Sequence, residues 1–319
     1  MARFVTRRLV GMVVVLFAIS VLVFLIFNVI PGGDPGKRIC GKNCNNALLT
    51  QINKDWGFND SLPVQYVTMM KKVFTGELVS YSSQLNVDQQ IKKGIPITFS
   101  LCIGAAVIWM AFAIVFGYLS AVKAGGFTDR ALTILALVGI SMPVFFLGAI
   151  LLLYLTSKIQ LFPTAGYVSL TSDPVQWAYH LFLPWITLAV LFVGFYSRVL
   201  RSNMLDVMNE DYVRTARAKG LSERQVRIHH VLRNSMIPVI TLFGLDFGAV
   251  IGGGAIITES IFSLNGVGQY AADAITNVDL PPIMGVTLFG AFFIVFFNAL
   301  VDITYAWLDP RIRLGTEAR

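Results

Sequence analysis

Apolar residues in this chain come in long unbroken runs, without the alternation of a half-buried strand. Six such runs stand out, at residues 9–30, 98–122, 131–157, 181–200, 237–257 and 283–301. A hydrocarbon core of about 30 Å needs about 20 apolar residues per helix, so each run predicts one membrane-spanning helix. Lipid offers no partner to unpaired backbone groups, which excludes open strands. The alternating segments of an outer-membrane barrel are absent from the pattern. The expected fold class is an all-α membrane protein with six transmembrane helices. The basic start, Met-Ala-Arg-Phe-Val-Thr-Arg-Arg, imitates a secretion signal. The apolar run behind it exceeds the roughly 7–15 residues of a cleaved signal, and no small-residue cleavage site follows. A retained first helix is expected.

Polar positions set the orientation. Arg3, Arg7 and Arg8 precede the first run, and Lys123 and Arg130 flank the short second connection. The fourth connection holds Arg198, Arg201, Arg214, Arg217, Lys219, Arg224, Arg227 and Arg233, and the tail adds Arg311, Arg313 and Arg319. With six spans all of these fall on one side, the cytoplasm, and both termini with them. The connection after the fifth run carries Glu259, Asp273 and Asp279 without Lys or Arg, as an outside loop can. The lysines of residues 32–97 oppose this assignment, but long loops translocate largely regardless of charge. That stretch mixes apolar and polar residues (LPVQYVTMMKKVF) and is expected to be a small folded cap outside the membrane. The expected organisation is a tail and first helix at 1–31, the cap at 32–97, and a five-helix core at 98–319 containing a cytoplasmic loop at 206–236.

Composition agrees. The chain is 55% hydrophobic and 13% charged, against about 25% charged for a soluble domain, which excludes both a soluble globule and a disordered chain. Its net charge of +7 is accounted for by cytoplasmic connections, so nucleic acid is not implied. Cys102 lies within an apolar run as a small buried hydrophobe. Cys40 and Cys44, in CGKNC on the outer side, leave a disulfide and two free thiols both open. No histidine or third cysteine is near enough to suggest a metal.

Catalytic patterns are missing. His180, His229 and His230 form no H-E-x-x-H, and there is no G-x-S-x-G. Gly266-Val-Gly268-Gln-Tyr-Ala271 fits a dinucleotide fingerprint in letters, but no strand precedes it, so it reads as turn chemistry. The chain is expected to hold no cofactor and to be unable to hydrolyse ATP.

The most informative stretch is the fourth connection, NEDYVRTARAKGLSERQVRIHHVLRNSMIPVI, far longer than a helix hairpin needs. Asp211 can cap a short helix that Gly220 ends, and Ser222 with Gln225 makes a capping box that opens a second. Two short helices about a glycine bend form a rigid cytoplasmic knob. Ala216 and Ala218 would let a partner approach, while Arg214, Arg217 and Lys219 offer charge.

At these residues the chain resembles the permeases of binding-protein-dependent ABC importers, whose loop carries E-A-A, a glycine, and then I-x-L-P. Thr215-Ala216-Arg217 stands in place of E-A-A, Gly220 is the glycine, and Asn234 to Pro238 cover the tail. The variant DYVRTARAKGL with HHVLRNSMIPVIT is similar to the dipeptide, oligopeptide and nickel branch. So are IPGGDP, SMPVFF, TESIFSLNGVGQY and NALVDITYAWLDPRIR. The resemblance implies the type I importer permease fold. It also implies a second related permease, two ATPase subunits that bind the ATP and Mg, and an extracytoplasmic binding protein. Docking on the ATPases would use Asp211, Tyr212, Arg214, Thr215, Ala216, Arg217, Ala218, Lys219, Gly220 and Leu221. Short peptides are the expected cargo, with nickel, glutathione or oligosaccharide as alternatives.

Within the spans, Asp246 is the one midplane acid and so a candidate for the translocation path, or for a pair with a neighbouring helix. Ser141, Met142 and Pro143 mark a kink in the third run and are further path candidates. Gly244, Gly248 and Gly252 mark a face of close helix contact. Asn298 and Asp302 share one face of the sixth run and are expected to pair with another helix. A secondary transporter would need an inverted repeat and more buried carboxylates than Asp246 alone.

Overall fold

The computed structural model describes residues 2–26, 36–37, 45–80 and 82–308. Cys40 and Cys44 lie outside the described residues, as do parts of the 32–97 stretch and the three arginines of the tail. The described residues are helical, with no strand and one isolated antiparallel bridge from Val79 to Asn86.

Five helices are long and apolar enough to cross a bilayer. They are α1 (Ala2–Phe24), α4 (Val87–Val122), α7 (Pro174–Val207), α9 (Glu223–Gly254) and α12 (Leu280–Leu308). The remaining expected span, the third run, is a broken pair, α5 (Phe127–Ser141) and α6 (Val144–Lys158), bent by 98°. Shorter helices are α2 (Asn46–Trp56), α3 (Leu62–Thr75), α8 (Asp211–Ala218), α10 (Ile256–Ile261) and α11 (Val267–Thr276).

The helices outrun their apolar cores for local reasons. The α7 helix starts early because the Asp173 carboxylate accepts the backbone N–H of Val175 and Gln176, and Pro174 occupies the first turn. In α4, Asp88 in the first turn suits the helix dipole and pairs with Lys92 at 2.7 Å. The expected separate second helix of the 206–236 loop does not exist. From Glu223 the chain continues without interruption into the fifth span, through a π-helical stretch at Val226–Leu232. No glycine stop lies between Gln225 and Pro238, and Pro238 alone does not end the helix.

The chain forms two compact units: Met1–Thr98 with Gly248–Ser260 and Leu264–Arg319, and Phe99–Phe247 with Ile261–Ser263. In the first, α1 packs on α12 and on α3. Val23 and Phe24 share a core with Trp56, Met69, Leu78, Val87 and Met284. Gly248 meets Phe297 and Gly252 meets Ile294 and Gly290, the close contact expected of that face. Asp302 pairs with Arg8 on α1 at 2.8 Å. In the second unit α5 and α7 run antiparallel, with Gly139 against Val190 and Gly194 against Ala136. Fully buried Trp109 stacks on Phe192 at 4.4 Å and meets Tyr196, Phe243 and Phe247.

Candidate functional site

The polar segment after α7 folds into the short helix α8 and a tight bend. Its cap is Glu210, not Asp211, which lies in the first helical turn beside the positive end of the dipole. Gly220 ends α8 with φ +80, a backbone conformation that a side chain disfavours. The N–H of Gly220 donates to Arg217 O and that of Leu221 to Ala216 O, closing both orphan carbonyls of a Schellman turn. Ser222 and Gln225 then form the expected capping box at the start of α9.

The bend is braced from both sides. Arg217 reaches across it to Glu223 at 3.0 Å, and Asn234 of α9 donates to the Tyr212 hydroxyl at 3.0 Å. Val213 and Ala216 are buried where α8 packs on the Val226–Leu232 turn. Ala216 therefore serves the packing of the segment itself, whereas Tyr212, Arg214, Thr215, Ala218, Lys219 and Leu221 are exposed. Among the described residues Arg214 pairs with its helix neighbour Asp211, at 3.4 Å. The outcome is a rigid, exposed knob with a cationic rim.

Ser141, Met142 and Pro143 occupy the break between α5 and α6. Met142 and Pro143 are extended, and the Met142 N–H donates to Val138 O. Ser141 and Pro143 are exposed. On α9, Asp246 is partly exposed and accepts a 2.5 Å hydrogen bond from Tyr196 of α7. Its partner is a tyrosine hydroxyl on another helix of this chain.

Three acids are buried among the described residues, Asp129, Glu259 and Asp279, and their burial was invisible in the sequence. Asp129, in the first turn of α5, receives Arg201 Nε and Nη2 at 2.7 Å each. It also accepts from the Ser120 hydroxyl and, at 2.8 Å, from the Gly125 N–H. Arg201 looked like one more topogenic cation. The second acid is Glu259 of α10, fully buried. Its Oε1 accepts from Thr98 Oγ1 at 2.7 Å and its Oε2 from the Gln269 N–H at 2.9 Å. Thr98 Oγ1 in turn accepts from the Val267 N–H at 2.9 Å. Burial holds the Glu259 carboxyl above its ordinary range, against those hydrogen bonds. The Gly266-x-Gly268 pattern thus has a physical role. A Cβ at Gly266 would lie 2.3 Å from the Glu259 carboxylate, so the glycines let the start of α11 close over an acid of this same chain. The only sequence signal was an acid a few residues ahead of a glycine-rich helix start.

Among the described residues no three His, Cys, Asp or Glu side chains come together as a metal site. Among the described residues the polar features are a knob, a broken helix and carboxylates held by groups of this same chain.

Comparison with known proteins covers nearly the whole chain. The family model described as binding-protein-dependent transport system inner membrane component matches residues 113–314, and the corresponding N-terminal model matches residues 1–102. A probable peptide ABC transporter permease protein of Sinorhizobium fredii is 36% identical over 314 residues, covering 98% of this chain and 100% of that protein. The dipeptide transport system permease protein of Bacillus subtilis is 34% identical over 317 residues, covering 98% and 99%. The glutathione transport system permease protein of Pectobacterium atrosepticum is 34% identical over 314 residues, with the same coverage.

Proposed function

This chain belongs to the inner membrane components of binding-protein-dependent transport systems, and from that premise we propose that it forms half of the path by which an ATP-driven importer brings in short peptides. The observation that carries the cargo is that full-length relatives at 34–36% identity are named for peptide and dipeptide transport. The glutathione permease supports a neighbouring reading, since glutathione is itself a peptide derivative. Nickel and oligosaccharide have no comparable support among these relatives.

In this reading a second, related permease completes the path and an extracytoplasmic binding protein delivers the cargo. Two ATPase subunits hold ATP and Mg and dock on the cytoplasmic knob. A coupling element must transmit a push without folding under it, and the Schellman turn, the capping box and the Arg217–Glu223 brace supply that stiffness. Tyr212, Arg214, Ala218, Lys219 and Leu221 meet the partner, while Ala216 and Gly220 shape the segment. Because α9 runs from the knob into the span without a joint, a displacement of the knob moves that span directly.

The break at Ser141-Met142-Pro143 supports a place on the path. Non-helical backbone at membrane depth is tolerated only where protein or a water-filled cavity satisfies it. Asp246, with Oδ2 held by Tyr196, presents its other oxygen to a peptide amino group.

The test is uptake by the reconstituted importer. Labelled dipeptide should enter vesicles only with ATP and binding protein, and Gly220→Pro should abolish uptake and binding-protein-stimulated hydrolysis while leaving membrane insertion intact. Proline cannot adopt the positive φ of that bend. Normal coupling in Gly220→Pro would sink the docking role, and import of nickel or oligosaccharide in place of peptide would sink the cargo.

A further inference from the structure

Between α5 and α7 the second unit opens a cleft of about 850 Å³ with two unlike ends. Asp129, Arg130, Arg198 and Arg201 line one end, with Val199 between the two arginines of α7; Ile134, Ile140 and Phe195 continue the lining along the helices away from them. The polarity follows from the antiparallel register of the two helices, in which Asp129 meets Arg201 and Ala136 meets Gly194. Asp129 and Arg201 neutralise each other through both forks of the guanidinium. Arg130 and Arg198 are exposed and have no acidic partner among the described residues, so the polar end carries two uncompensated cations.

The dimensions match one leaflet of a bilayer. Ten residues separate Arg130 from Ile140, which is about 15 Å of helix and half of a hydrocarbon core of about 30 Å. The cationic end lies beside the connections whose Lys and Arg excess puts them in the cytoplasm. We propose that this cleft is a binding site for an anionic phospholipid of the cytoplasmic leaflet. Its phosphate sits on Arg130 and Arg198, and an acyl chain lies along Ile134, Ile140 and Phe195. Charge complementarity selects the lipid. A neutral headgroup leaves both arginines uncompensated, and a free phosphate leaves the apolar wall uncovered. The Asp129–Arg201 pair is the fixed back wall that holds α5 and α7 in register and keeps Arg201 from closing the cleft. The proposal rests on membrane orientation and is independent of the cargo.

The test uses the assembled importer in detergent, with retained lipid counted by native mass spectrometry after addition of phosphatidylglycerol, phosphatidylcholine or inorganic phosphate. Phosphatidylglycerol should be retained and phosphatidylcholine not, and millimolar phosphate should not displace the lipid. Each of Arg130→Gln and Arg198→Gln should weaken retention about fivefold, as expected for a cation at an anionic surface. Both side chains are exposed and unpaired, so neither change threatens folding. Ile134→Trp should also weaken retention by filling the apolar wall with the charges intact. Lys123→Gln, which removes a cation of the same face outside the cleft, should leave retention unchanged. Equal retention of phosphatidylcholine, displacement by phosphate, or full retention by the double arginine variant would overturn the proposal. So would loss of retention on assembly, since a partner subunit would then cover the cleft.

Discussion

Asp129 and Glu259 are both acids withdrawn from water, one in each compact unit, and the chain satisfies them with different chemistry. Asp129 faces a guanidinium and shares its charge with Arg201 in a two-pronged pair. Glu259 faces no cation; a threonine hydroxyl and backbone N–H groups at the start of α11 hold it. An ion pair joins two helices through one strong contact and fails wholly when either partner goes. A carboxylate seated on N–H groups spreads the same task over several weaker donors, and burial holds its pKa above the ordinary range.

The largest effect that tests this contrast is removal of Arg201. Arg201→Ala leaves Asp129 charged and shielded, and should cost about 3–5 kcal/mol, read as a drop in the thermal midpoint of the solubilised protein. Asp129→Asn should cost less, because Arg201 is 30% exposed against 6% for Asp129 and can turn to water. Equal costs would show that the pair acts through packing and not through charge.

Glu259→Ala comes next. It strands the Thr98 hydroxyl and the Gln269 N–H in a dry place and should cost about 2–3 kcal/mol, with faster amide exchange at the start of α11. Unchanged exchange there would mean that the carboxylate does not hold the helix start.

Glu259→Gln is a subtler probe, through pH. The folded protein holds this carboxyl above its ordinary range, so between the ordinary glutamate range and the raised value the native state binds the extra proton. That contribution is complete below the ordinary range and is lost as pH rises through the window. Relative to wild type, Glu259→Gln should therefore gain stability as pH rises. A shift in the opposite sense would show that the hydrogen bonds outweigh burial.

The smallest effect belongs to the exposed pair of Arg8 and Asp302. At 47% and 38% exposure, Arg8→Ala should change stability by less than about 1 kcal/mol. A larger loss would place this pair in a drier setting than the isolated chain shows.

Much of the candidate site was legible because it is made of local contacts. Gly220, Ser222 and Gln225 act on neighbours within a few residues, so their letters and spacing predict the bend and the capping box directly. The cap at Glu210 was misplaced by one position because two adjacent acids compete for one helix start. The merger of the second knob helix with the fifth span escaped notice because polarity changes at Ile237 while the backbone does not. An apolar boundary reports where lipid begins and says nothing about where hydrogen bonding stops.

By itself the sequence determined that the chain is a multi-spanning helical membrane protein, since length and hydropathy are additive properties of single segments, and its motifs carried the family. It also determined the knob. Only the tertiary structure decided what the isolated charges are for. Arg201 is written among topogenic cations but spends its charge on an aspartate 72 residues away. Glu259 is written in an outside loop but sits dry against a threonine 161 residues before it. Asp246 is held by a tyrosine 50 residues before it. A charge in a low-dielectric interior must find partners by proximity in space, and no spacing along the chain encodes which distant segment supplies them.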